Sequence, residues 1–116
     1  MDPVLQPGEF VYCTADDAAA TDAVCTFREA EGLTLILSRD AAERRGLPFT
    51  YPCRMITLNV YSNLESIGLL AAVTAALTHE NISMNAVSAY HHDHLFVRTE
   101  DAAQALDVLL SLAGRR

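Results

Sequence analysis

The clearest hydrophobic pattern lies in the middle of the chain. In "RMITLNVY", Ile56, Leu58 and Val60 alternate with Met55, Thr57, Asn59 and Tyr61, which predicts a strand with one apolar face. "SNLE" follows with the S-x-x-E spacing of a capping box. It predicts that Ser62 and Glu65 satisfy amide donors at a helix start, and that the helix runs from Asn63 to about His79. Asn81 is placed to leave it in a left-handed conformation. "ISMNAVSAY" and "HLFVR" read as two strands joined at a polar cluster. Thr99 is then expected to cap a last helix, with Ala102, Leu106, Leu109 and Ala113 at helical spacing and Gly114 at its end.

The first half is patterned less strongly. After Pro3, Pro7 and Gly8, "EFVYCT" predicts a short strand. "TADDAAATD" is a polar, alanine-rich loop with room for one helical turn. "AVCTFRE" and "LTLILS" predict two strands around the "AEG" turn, with Leu33, Leu35 and Leu37 on one face. "RDAAERRG" is a short helix that Gly46 can close, with Pro48 preventing its continuation.

From Arg54 onward the order is strand, helix, strand, strand, helix. This is the split β-α-β plan of the ferredoxin-like kind without its last strand. The first half follows the same plan with a loop for its first helix. The expected fold is α+β, a ferredoxin-like tandem duplication. Residues 1–52 form an incomplete first half and 53–116 a βαββα second half, with the boundary near Pro52. Halves of about 55 residues are marginal alone and are expected to share a core.

The predicted central helix carries no charge between Ser66 and Thr78, and its apolar residues run nearly all the way round. A helix covering one sheet should show a polar outer stripe. Its outer side is therefore expected to be buried, against the other half or a second copy of the chain, and a homodimer follows. An alanine-rich helix standing in solvent is the other reading.

Composition narrows the classes of function. The chain has 116 residues, 51% apolar and 20% charged, with a net charge of −7. All eight basic residues are arginine. An acidic surface repels phosphate backbones and anionic lipid, so neither nucleic acid nor membrane is an expected partner. Cys13, Cys25 and Cys53 form no C-x-x-C pair. The N-terminus lacks the basic and apolar pattern of a signal segment, and the Ser66–Thr78 run is too short to cross a bilayer. A cytoplasmic protein is expected. There is no glycine-rich phosphate loop, no G-x-S-x-G elbow and no lysine. A non-catalytic protein without a cofactor is the reading these absences favour.

Taken together, "FREAEGLTLIL", "ITLNVYSNLESIGLLAAVTAAL", "ENISMNAVSAY" and "HDHLFVR" resemble the small bacterial ACT-like proteins of uncharacterised function. The resemblance runs from about Pro7 to Leu112. More distantly, "SNLESIGLLAAV" and "ENISMNAVSA" are similar to the regulatory ACT modules of aspartate kinases and to tandem-ACT amino-acid sensors. It implies a duplicated ferredoxin-like ACT fold that pairs side by side and binds a small ligand, often an amino acid, at interfaces. The implied ligand region here is Ser62, Asn63, Leu64, Glu65, Ser66, Ile67 and Gly68, with Met84 and Asn85 on the following strand. From the first half, Glu29, Glu31, Gly32 and Thr34 are implied as further lining. "SNLES" matches no single amino-acid-specific loop, and the chain carries no kinase domain.

The chemistry of such a pocket suits these residues. A ligand carboxylate is held by the outward amides of a helix N-terminus, and Gly68 permits close approach. An ammonium group needs a carboxylate, for which Glu65, Glu29 and Glu31 are available. Asn85 offers both donor and acceptor. Each residue also has a plainer role: Ser62 and Glu65 as caps, Gly68 in packing, Asn85 on a solvated sheet face. A protein-docking module without a small ligand is the alternative function.

Three of the four histidines cluster in "AYHHDHLFV", and they give a metal-binding alternative through His91, His92 and His94. A turn centred on His92–Asp93 makes His91 and His94 cross-strand neighbours. A strand beginning at His92 puts His92 and His94 on one face. Zinc wants three or four ligands and no cysteine is near in sequence, so the expected role is a hairpin turn with Asp93 as turn residue.

Overall fold

In the computed structural model, which describes residues 2–59, 64–65 and 67–114, the chain forms two compact units. One is Gly8–Cys53, and the other combines Met1–Pro7 with Arg54–Arg116. The fold is the mixed α+β, ferredoxin-like arrangement expected.

In the unit Gly8–Cys53, strand β2 (Phe10–Ala15) is followed by a 3-10 segment (Asp17–Asp22), β3 (Ala23–Glu29), β4 (Gly32–Ser38) and α1 (Arg39–Arg44). The unit closes on the first residues of β5 (Thr50–Leu58). The strands lie in the order β3, β4, β2, β5. The expected loop is therefore one short 3-10 segment, capped by Asp16, whose carboxylate accepts from the Ala18 amide. Ser38 caps α1 through the Ala41 amide. Alternation puts Val11 and Cys13 with Leu33, Leu35 and Leu37 on one buried face, against Ala41 and Ala42 of α1. Where β2 meets β5 the register shifts between Phe10 and Tyr12. Tyr51 there adopts φ +59, a conformation bulky residues seldom take, and its ring meets that of Tyr12 edge-on at 5.5 Å.

The other unit begins with β1 (Pro3–Leu5), which pairs antiparallel with β5 in the register Pro3↔Leu58, Val4↔Thr57 and Leu5↔Ile56. Then come α2 (Leu69–His79), β6 (Met84–Ser88), β7 (Asp93–Arg98) and α3 (Ala102–Leu112). β5, β7 and β6 are successive neighbours, and β1 pairs with β5. The last strand missing from the sequence pattern is thus present. It is supplied by the three residues Pro3–Leu5, and the first unit gets its own last strand from the start of β5. Ile56 and Leu58 pack with Val73 and Leu77 of α2, Leu95 and Val97 of β7, and Ala105 and Leu109 of α3.

Two helices differ from expectation. α2 opens at Leu69 rather than Asn63, because Gly68 holds φ +96 and breaks the right-handed path. Glu65 lies in a turn before it, and Gly68 holds the N-cap position. Val60, Tyr61, Ser62, Asn63 and Ser66 lie outside the described residues. α3 is preceded by a 3-10 turn, Thr99–Asp101, so Thr99 is not its cap. Its buried stripe is Ala102, Ala105 and Leu109, with Leu106 and Ala113 only half-buried. The stripe follows i, i+3, i+7 and keeps Ala102 and Leu109 of the expected set, with Ala105 buried in place of its neighbour Leu106. Asn81 leaves α2 at φ +60, as its position suggested.

Candidate functional site

The entrance to α2 is built by one residue. Gly68 is the N-cap and has no side-chain hydrogen bond to offer, its carbonyl accepts from the Ala72 amide at 3.0 Å, and among the described residues, its chain neighbours aside, nothing lies within 4 Å of where its Cβ would be. The amides of a helix's first turn have no partner within the helix. Leu64 and Ile67 beside it are 67% and 98% exposed. Of the residues expected to line a ligand, Leu64, Glu65, Ile67 and Gly68 lie together here, while Ser62, Asn63 and Ser66 lie outside the described residues. Met84 and Asn85 open β6, close to where α2 ends. They follow the C-terminal end of α2, an 11-residue helix about 16 Å long.

In the unit Gly8–Cys53, Glu29, Glu31, Gly32 and Thr34 gather at the β3–β4 turn. The Thr34 hydroxyl donates to the Glu29 carboxylate. A Cβ on Gly32 would stand 3.1 Å from Thr14 Oγ1, so the glycine permits a close approach of strand to side chain. Glu31 is an exposed turn residue.

The histidine hairpin is closed by a bond from the Ala89 amide to the His92 carbonyl at 3.0 Å, which puts Tyr90 and His91 at its tip. Asp93, expected in the turn, is instead the first residue of β7 and pairs with Ser88. The bond between Ala89 and His92 already completes the reversal before Asp93 is reached. His91 stacks edge-on with Tyr90 at 5.0 Å, and the rings of His92 and His94 lie 6.3 Å apart. Among the described residues no group of three or more His, Cys, Asp or Glu side chains is arranged to hold a metal. His94 Nδ1 lies 3.0 Å from Thr57 Oγ1, which also accepts from Gln6 Nε2 at 3.1 Å. Burial, then the neighbouring His92, push the His94 pKa below its ordinary value, with Asp93 opposing. Sequence reasoning missed Gln6 and Thr57, because positions 6, 57 and 94 meet only through the pairing of β1, β5 and β7.

A groove of about 760 Å³ runs between α2 and α3. Ala72, Ala75 and Ala76 form one wall, Val108 and Leu112 the other, with His79 and Asp107 among the polar groups beside them. The outer residues Ala71, Ala72 and Ala75 are exposed in the chain.

Residues 1–54 and 50–111 each match an ACT-domain family model. The chain belongs to the ACT-domain family. A Vibrio cholerae protein of unknown function, described as a possible transport protein, is 42% identical, with a TM-score of 0.87 over 92% of this chain and 85% of its own. An Agobacterium tumefaciens protein is 19% identical at TM-score 0.78, covering 94% of this chain and 86% of its own. The ligand-free regulatory subunit of aspartate kinase from Thermus thermophilus shares the fold at 9% identity and TM-score 0.65, over 96% of each chain. No curated protein matches. The two ACT matches overlap over residues 50–54, within β5.

Proposed function

We propose that this ACT protein is a non-catalytic regulatory module that binds a small molecule, an amino acid, at the entrance to α2. The observation that carries the reading is the helix start at Gly68, a residue with no side chain to cap the first turn and, among the described residues, open space where its Cβ would stand. Backbone amides there suit a carboxylate, and Glu65, in the turn that precedes the helix, is a carboxylate close in sequence for an ammonium group. The family adds the ligand class.

Thermal shift with each of the twenty amino acids tests it. A ligand a hundredfold above its Kd stabilises the folded state by about 2.7 kcal/mol, which is several degrees of Tm for a chain of this size. No shift with any amino acid at millimolar concentration would sink the assignment. Unchanged binding in a folded Gly68→Leu protein would move the pocket elsewhere.

A second reading has its own observation. The groove between α2 and α3 is mostly apolar and its alanine wall is exposed, which suits close packing of a second copy of this chain in a homodimer. Light scattering that finds only monomer at micromolar concentration would rule the homodimer out.

A further inference from the structure

Three side chains, two from neighbouring strands and one from the residue after β1, form a continuous hydrogen-bonded line. Gln6, just beyond β1, donates from Nε2 to Thr57 Oγ1 on β5 at 3.1 Å, and Thr57 Oγ1 lies 3.0 Å from His94 Nδ1 on β7. Thr57 is 4% exposed and is the one buried polar side chain among the described residues. Its hydroxyl therefore has a single proton to place and little water to place it on. With Gln6 donating to Thr57, that proton goes to His94 Nδ1, and the imidazole is neutral with its hydrogen on Nε2.

A protonated His94 cannot accept. Its Nδ1–H must donate to Thr57, whose hydroxyl then turns toward Gln6 and needs an acceptor there. Turned over, the Gln6 side-chain amide offers its carbonyl oxygen as that acceptor. The line has two polarities, and the charge on His94 selects between them. The other titratable or charged groups around it are few. His92 and Asp93 lie on its own hairpin, and beyond Gln6 the Arg54 guanidinium donates to the Gln6 carbonyl at 3.0 Å. Val87, opposite on β6, carries no charge.

The geometry points to a proton-reading relay, in which His94 at the hairpin sets the orientation of the Gln6 side-chain amide at the end of the N-terminal strand through Thr57. This device goes beyond ligand binding at α2 and does not depend on it. Its two ends lie on β7 and next to β1, the strand that completes this unit's sheet, so a fall in pH that protonates His94 is conveyed to that strand.

Nuclear magnetic resonance on uniformly ¹⁵N-labelled protein between pH 7.5 and 5 tests the relay. The expected result is a neutral His94 with its proton on Nε2 at pH 7.5, and a shift of the Gln6 side-chain amide resonances that follows the His94 titration. In Thr57→Val, His94 still titrates and the Gln6 shift is lost. In His94→Gln, the Gln6 resonances stay flat across the range. A Gln6 amide unmoved through the wild-type titration would overturn the relay, as would a Gln6 shift that survives in either variant. Folding of the variants is read from the dispersion of the same spectra.

Discussion

Leu5 of β1 stands directly opposite Ile56 of β5, and its side chain packs on the buried cluster that also holds Val73, Leu95 and Leu109. A three-residue strand thus pairs with a strand, Thr50–Leu58, from the far side of the Gly8–Cys53 unit in sequence. Leu5→Ala is expected to lower unfolding stability by about 1–2 kcal/mol, below the range for a fully buried leucine because Leu5 is only half-buried. Urea denaturation measures it, and an unchanged midpoint would mean that β1 adds nothing to this core.

His94 sets a pH dependence whose direction follows from its lowered pKa. Between the folded value and the ordinary value of 6.5, the unfolded chain holds a proton that the folded chain does not. The stability is therefore fully present above pH 6.5 and is lost as pH falls through the folded pKa. Urea midpoints of the wild type and His94→Gln from pH 8 to 5 should diverge below neutrality, the wild type falling more. Parallel curves would contradict it.

The thiols should divide by position. Cys53 is fully buried, donates to the Phe10 carbonyl at 3.3 Å, and burial pushes its pKa up to about 12. Burial also raises Cys13. Thiolate is the reactive form, so both should resist a disulfide reagent at pH 8 while Cys25, half-exposed on β3, reacts. Mass spectrometry of the labelled native protein should find one modified cysteine, at position 25.

Gly32→Ala should destabilise by about 1–2 kcal/mol. Its φ of +147 lies where side chains are strained, and the added methyl would press on Thr14 Oγ1 at 3.1 Å. Gly32→Ala in a Thr14→Ala background should recover the part due to contact and leave the part due to φ. Equal losses in both backgrounds would assign the whole cost to backbone conformation.

The sequence pattern carried most of this fold where apolar residues alternate or recur cleanly. Leu33, Leu35 and Leu37, and Ile56 with Leu58, lie on the buried faces that alternation assigned them. β1 was illegible because three residues headed by a proline leave no periodicity, although proline at the first residue of an edge strand is a known placement. The start of β5 was hidden by Pro52 and by the left-handed Tyr51. α2 was drawn too long because the capping-box spacing at Ser62–Glu65 outweighed Gly68, the residue whose backbone governs the start. At the site, the grouping of Leu64, Glu65, Ile67 and Gly68 could be read along the chain. The line from Gln6 to His94 could not, since strand pairing alone brings its members together.

The division of β5 between the two units has a practical meaning for dissection. The usual strategy of expressing each repeat as its own cassette presumes a linker to cut, and here the boundary between Cys53 and Arg54 falls inside a strand. A fragment starting at Arg54 would lack Pro3–Leu5, and one ending before Thr50 would lack the strand beside β2. Neither repeat is a portable piece, and gene fusions should join this protein whole.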